Sequence, residues 1–445
     1  MSGQEILGVV MLLGMITTIF IGFPIAFTLL FLGLVFGGLG LGWEQTFNLS
    51  YLQIWGLMKD EVFPAVPLFI FMGFMTEQAG LMERLFGALR NLLAPVRGSL
   101  YLAVILTATI FAMATGIVGA AVTVLGIMAA PMMIKAGYDA RLSAGAIAAG
   151  GTLGVLIPPS VMLVVMGPTM GVPVNLLYSA AFAPGFLLAA CYIIYCLGRS
   201  FINPQLGPPV PKEDRIKDPW IIIKEVLVGI VPLAALIGFT LGTILGGLAT
   251  PSEAAACGAT GATLLAICYR KLTWKALKNA GVNTMMTSGM VMYLALGSVV
   301  FGAVFTKLGT ATVLTQALID IPIGDFAKIV LLMVVIFILG WPFEWPAIVL
   351  VFLPIVQPVV EKMQLGMNRL DLMIWFGALI AVNLQTAFLS PPVAMSAYYL
   401  RNVVPQWTLA NIYRGMGHFM VIQCIVLGLV LFFPEIVLWL PRALK

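Results

Sequence analysis

Two proline pairs interrupt apolar runs in which a helix would otherwise continue: Gly151-Thr152-Leu153-Gly154-Val155-Leu156-Ile157-Pro158-Pro159-Ser160 and Asn383-Leu384-Gln385-Thr386-Ala387-Phe388-Leu389-Ser390-Pro391-Pro392. Proline lacks an amide hydrogen and clashes with the preceding turn, so each pair must open the helix and free backbone carbonyls and amides. Oxygen-bearing side chains gather at both openings: Thr152 and Ser160 at the first, and Asn383, Gln385, Thr386 and Ser390 at the second. With the freed carbonyls they form a neutral oxygen set suited to a small, hard cation. Amides at the start of each resumed helix favour an anion. Serine and threonine also bond to their own helix carbonyls, so each hydroxyl has two available roles.

Acidic residues are few in this part of the chain. Glu344 lies between Trp341 and Trp345 in Gly340-Trp341-Pro342-Phe343-Glu344-Trp345-Pro346, and an acid at membrane depth is expensive and usually functional. The alternative is a solvated tip. Glu253 follows Thr250-Pro251-Ser252 and fits the first turn of a helix. Glu77, beside Gln78 and Gly80, is expected at an interface. The single histidine, His418, cannot build a haem pair or a zinc site, and neither GxxxxGK[ST] nor GxSxG is present. The five cysteines lie in apolar runs without CxxC spacing and read as buried hydrophobes. No enzymatic chemistry and no cofactor are indicated.

The elements that hold these residues must be membrane helices. Of 445 residues, 61% are hydrophobic and 9% charged, too few charges to cover a soluble surface of this size. A net charge of +5 spread along the chain implies no nucleic-acid partner. Met1 to Glu5 has no basic segment, so a cleaved signal peptide is not expected. The expected class is an all-α polytopic membrane protein in contact with lipid.

Residues 201–218, rich in proline and charge, divide the chain into segments 1–200 and 219–445. Basic clusters place this linker on the cytoplasmic side. The apolar stretch at about 99–133 is flanked by such clusters and barely holds two full spans, so a re-entrant hairpin turning at Met113-Ala114-Thr115-Gly116-Ile117-Val118-Gly119 is expected. A second is expected at about 328–357, turning at Gly340 to Pro346. Each precedes a broken helix, at about 142–170 and 371–400. Crossings are expected at about 6–22, 24–41, 62–80, 142–170 and 176–198, then 220–245, 253–269, 280–303, 371–400 and 416–440, with short amphipathic stretches at Leu81–Leu93 and Thr310–Ile319. Five crossings per half would make two inverted repeats, with the hairpins entering from opposite sides and both chain ends outside. Discontinuous helices meeting near the midplane of inverted repeats are a transporter layout.

Four motifs carry a family resemblance. Pro67 to Leu85 (PLFIFMGFMTEQAGLMERL), Gly151 to Ser160 (GTLGVLIPPS), Gly246 to Ala259 (GGLATPSEAAACGA) and Asn383 to Ala394 (NLQTAFLSPPVA) stand in order along nearly the whole chain. The chain thereby resembles the large membrane subunit of TRAP (tripartite ATP-independent periplasmic) transporters. The resemblance implies an elevator carrier in a bacterial inner membrane, driven by sodium ions. It also implies two partners, a small four-helix membrane subunit and a periplasmic binding protein that delivers an organic anion, commonly a carboxylate.

Carried over by position, one cation site would involve Thr115, Gly116, Gly119, Ile157, Pro158 and Ser160. A second would involve Gly340, Glu344, Thr386, Ser390 and Pro391. Substrate contacts would come from Thr152, Pro159, Ser160, Asn383, Gln385 and Pro392. Many relatives have a serine-rich first tip, whereas this one has a single hydroxyl, Thr115. The second tip is bulkier and more aromatic than usual, which would suit a larger or apolar acid. A passive anion channel, or a structural subunit of a larger pump, would share the apolar composition without needing the paired breaks.

Overall fold

Local chemistry sets the helix boundaries of the computed structural model, which describes residues 2–210, 215, 218–391 and 394–444. α1 (Gly3–Phe20) starts at a capping box, Ser2 and Glu5 each accepting from the other's amide. α2 (Ile25–Gly40) and α3 (Trp43–Met58) follow. α4 (Ala65–Gln78) and α5 (Leu81–Leu93) meet at a 59° bend. α6 (Ser99–Thr115) and α7 (Val118–Lys135) form the first hairpin. α8 (Ala140–Leu156), capped by Asp139, is the first part of a broken helix that resumes as α9 (Val161–Met170), and α10 (Val174–Ile202) ends this half.

α11 (Pro219–Leu245) and α12 (Pro251–Cys268) open the second half, and α12 carries a Thr250–Glu253 capping box. α13 (Trp274–Lys307) and α14 (Thr310–Ile319) lead to the second hairpin, α15 (Asp325–Leu339) and α16 (Trp345–Val360). α17 (Arg369–Leu384) tightens into a 3-10 turn at Gln385–Phe388, and the chain resumes as α18 (Met395–Val403). α19 (Leu409–Phe432) and α20 (Glu435–Ala443) complete the fold. Among the described residues there is no strand, and eight helices are long and apolar enough to cross a membrane, nine if α4 and α5 form one bent span.

Both hairpins return to the end from which they left. Tyr138 Oη accepts from the Leu100 amide at 3.3 Å and lies 3.4 Å from Ser99 Oγ, so the open end of the first hairpin is closed by one phenol. The segment before residue 211 is pinned there too: Gly98 N donates to Gly207 O at 2.9 Å, and Tyr101 Oη donates to Leu206 O at 2.6 Å. In the second hairpin the Gln364 amide donates to Asp325 Oδ2 at 2.9 Å. Gln357 Nε2, near that open end, donates to the carbonyl of Met170 at 3.1 Å. α8 begins beside the open end of the first hairpin and α9 finishes at Met170. The two hairpins therefore enter from opposite ends of the α8–α9 pair.

The broken helices are the innermost elements. The most apolar window of Ala140–Met170 is 100% buried and that of Arg369–Phe388 is 94% buried, against 17% for α1 and 22% for Trp220–Leu245. Open backbone at membrane depth is tolerated only where protein or a cavity surrounds it, and the first break, with residues 157–160 all buried, meets that condition. α4 lies along α12, α2 lies along α13, and α4 meets α13. α8 packs so closely on α19 that a Cβ on Gly415 would fall 2.0 Å from the Arg141 carbonyl. Only glycine permits that approach.

Four features depart from the sequence reading. Of the ten expected crossings, those at 24–41, 62–80 and 253–269 are helices too short or too little apolar to span alone, whereas α7, expected as half of a hairpin, is long and apolar enough to cross. α3 was not expected; its signal was an aromatic at every fourth residue, Trp43, Phe47, Tyr51 and Trp55, which stack in pairs on its exposed face. The span expected at 416–440 is instead α19, and Pro434 separates it from the amphipathic α20, where Arg442 Nε donates to Asp371 Oδ2 at 2.9 Å. The cysteines are not uniformly buried: Cys196 is, whereas Cys257, Cys268 and Cys424 face outward from apolar helices. An apolar run does not distinguish a core-facing thiol from one facing lipid.

Candidate functional site

At the first tip the chain reverses in two residues. Gly116 adopts the left-handed conformation (φ +59°), and its amide bonds back to the Ala112 carbonyl at 3.2 Å. A side chain there would be strained, and its Cβ would lie 3.4 Å from the Pro159 carbonyl oxygen. Thr115 crosses α4 so tightly that a Cβ on Gly73 would lie 2.8 Å from its Cα. The tip is thus held against the first break. Ile157, Pro158, Pro159 and Ser160 are all buried there.

The second tip carries side chains instead of a bare turn. Phe343 is buried beside Phe352, Trp341 is exposed, and Glu344 is half-buried where α16 begins. A Cβ on Gly340 would lie 3.2 Å from Ala387 Cβ, so this tip rests on the second break. That break is looser: the 3-10 turn ends at Phe388, Pro391 is exposed, and Ala394 is held at φ +32°, a rare conformation for a residue with a Cβ.

All four features meet at one cavity of about 380 Å³. Gly116 to Gly119 come from the first tip, and Glu344 and Trp345 from the second. Val155 and Val161 flank the first break; Phe388, Met395 and Tyr399 flank the second. Ile70 of α4 and the α13 residues Met286, Thr287, Met290 and Val291 close the remaining wall. Four helices begin with residues that line this wall, at Val118, Val161, Trp345 and Met395, and the first turn of a helix is where backbone amides lack intrahelical partners. The electrostatics favour an anion there. Among the described lining residues Glu344 is the one charged side chain.

The expected oxygen ligands lie beneath this wall. Thr115 Oγ1 donates to Phe111 O at 3.2 Å, Thr152 Oγ1 to Ala149 O at 2.8 Å, and Ser160 Oγ to Val155 O. Thr386 Oγ1 donates to Asn383 O at 2.7 Å, and Ser390 Oγ to Thr386 O at 2.7 Å. These bonds use the hydroxyl hydrogens and leave oxygen lone pairs for a cation. Asn383 Nδ2 donates to Met333 O at 2.7 Å, but its Oδ1 has no partner. Neither amide atom of Gln385 has one, although the residue is 0% exposed. Buried amides are rarely left so.

Of the residues singled out from sequence, Gly116, Gly119 and Glu344 line the cavity. The candidate substrate contacts Thr152, Pro159, Ser160, Asn383 and Gln385 are not on its wall, and Pro392 lies outside the described residues. Tyr399 was missed. A Cβ on Gly119 would meet its ring at 3.1 Å, so it bridges the first tip to α18. Its position one helical turn beyond the second break was the available signal. The α13 residues had none, because α13 is apolar along most of its length.

Comparison with known proteins agrees with this architecture. Residues 8–436 match the family described as "Tripartite ATP-independent periplasmic transporter, DctM component". The sialic acid TRAP transporter large permease protein SiaM of Vibrio cholerae is 29% identical over 433 residues, 96% of this chain and 97% of that protein. The C4-dicarboxylate large permease DctM of Rhodobacter capsulatus is 25% identical over 406 residues, 87% of this chain and 88% of that one. The 2,3-diketo-L-gulonate large permease YiaN of Escherichia coli is 25% identical over 425 residues, covering 94% and 95%. In fold, the chain is similar to the YdaH transporter of Alcanivorax borkumensis, with a TM-score of 0.64 at 15% identity across 99% of this chain and 100% of that one. The chain therefore belongs to the DctM family, the large membrane subunits of TRAP transporters.

Proposed function

We propose that the chain is the permease subunit of a secondary active, sodium-coupled importer of organic acids in the bacterial inner membrane. The observation that carries this reading is the convergence of two oppositely entering hairpin tips and two helix breaks on one cavity. Four helix starts supply amides for a carboxylate, and the opened turns supply carbonyls for a cation. The unpartnered Asn383 Oδ1 and the Gln385 amide sit at the second break, where a sodium ion or its water would satisfy them. Relatives named for sialic acid, C4-dicarboxylates and diketogulonate support an organic acid as cargo.

A periplasmic binding protein would deliver that acid, and a small four-helix membrane subunit would widen the lipid-facing wall. The contrast between the deeply buried Ala140–Met170 and Arg369–Phe388 and the sparsely buried outer helices suits an elevator, in which an inner unit moves against an outer frame. The test is uptake into proteoliposomes containing both membrane subunits and the binding protein. An inward sodium gradient should drive organic acid above its external concentration. Uptake that only equilibrates, with or without the gradient, would mark a passive channel and overturn the reading.

A further inference from the structure

We propose that the cavity selects organic monocarboxylates with an apolar body, branched aliphatic or aromatic, over dicarboxylates and polyhydroxylated sugar acids. This rests on the reading of the chain as an organic-acid permease. Carbon and sulfur dominate the wall: Val155, Met290, Trp345, Phe388 and Met395 present apolar surface from five different elements. Side-chain hydroxyls come from Thr287 and Tyr399. A ligand with many hydroxyls would give up its bonds to water and recover few of them, whereas an aliphatic or aromatic body would fill the space with matched surface. Methionines at three positions, Met286, Met290 and Met395, let the wall adapt to branched or planar shapes.

Charge sets the second half of the selectivity. Helix-start amides can serve one carboxylate, and no lysine or arginine among the described lining residues is present to serve another. A second carboxylate would share the cavity with Glu344, and like charges brought close together repel. If Glu344 is neutralised by a bound cation, that cation is spent, and the ligand still has amides for one negative end. The volume, about 380 Å³, lies within the range of roughly 300–1,000 Å³ usual for small-molecule sites.

The test is equilibrium binding to the full chain in lipid nanodiscs, with and without sodium, the Glu344 comparison being made without it. The probes are 4-methyl-2-oxopentanoate, phenylpyruvate, succinate and sialic acid. The two apolar monocarboxylates should bind at least about tenfold more tightly than the other two. Glu344→Gln should narrow the gap to succinate by about tenfold. Met290→Gln should weaken phenylpyruvate several-fold more than it weakens succinate. Succinate or sialic acid binding as tightly as the apolar acids in the unaltered chain would overturn the selectivity while leaving the organic-acid reading intact. Failure of all four to bind would overturn that reading, and the selectivity with it.

Discussion

The two hairpin tips reach the same cavity with different equipment. The first is a two-residue turn built on Gly116, pressed by its backbone against Pro159 and Gly73, and its one hydroxyl, on Thr115, is bonded to the Phe111 carbonyl. The second brings the side chains of Glu344 and Trp345, and the break beneath it leaves amide groups of Asn383 and Gln385 unpartnered. The first half thus offers mainly backbone to a ligand, while the second offers side chains. A backbone ligand set is indifferent to most substitutions except those that change main-chain geometry. A side-chain set can be retuned one group at a time, so selectivity is expected to reside in the second half.

Gly116→Val should have the largest effect. It forces a β-branched residue into the left-handed region at a cost of about 1–3 kcal/mol and lifts the tip from the first break, so uptake should be lost. Undiminished uptake would show that the tip's close approach is dispensable. Gln385→Leu comes next. Removing a buried, unpaired amide should raise the melting temperature of the sodium-free chain, by the equivalent of about 1–3 kcal/mol, while abolishing the stabilisation gained on adding sodium. A less stable sodium-free protein would indicate that the amide is paired.

Glu344→Gln should shift the sodium concentration for half-maximal uptake by about tenfold. An unchanged sodium profile would return this carboxylate to a solvated role and remove the main asymmetry between the tips. Thr115→Val should do least, costing about 1 kcal/mol of stability or less with the sodium profile retained. A profile as altered as that of Glu344→Gln would place a side-chain ligand at the first tip too.

Much of this fold was legible because prolines and glycines in apolar runs have few structural outlets. Gly116 and the pairs beginning at Pro158 and Pro391 marked reversals and openings that no straight helix could absorb. The helices Leu81–Leu93 and Thr310–Ile319 were legible as short amphipathic stretches. The α3 helix was hidden because it is neither apolar enough to span nor bounded by strong breakers, although its four-residue aromatic spacing was present. The cavity wall was less legible than the breaks. Met290, Phe388 and Tyr399 are brought together from separate helices, and local spacing in an apolar sequence carries no record of which face meets which. The hydroxyls near the breaks were legible as residue types, but their bonds to the preceding turn depend on backbone positions that only the folded chain fixes.

The most direct measurement is a cryo-EM map of the chain with the small membrane subunit proposed as its partner, in lipid nanodiscs at saturating sodium with a transported acid. Density for the acid should lie between Gly116–Gly119 and Glu344–Trp345, with its carboxylate toward the helix starts. Density for the acid elsewhere in the transmembrane region, with this volume filled only by lipid or water, would contradict the convergence of tips and breaks as the carrier's binding centre.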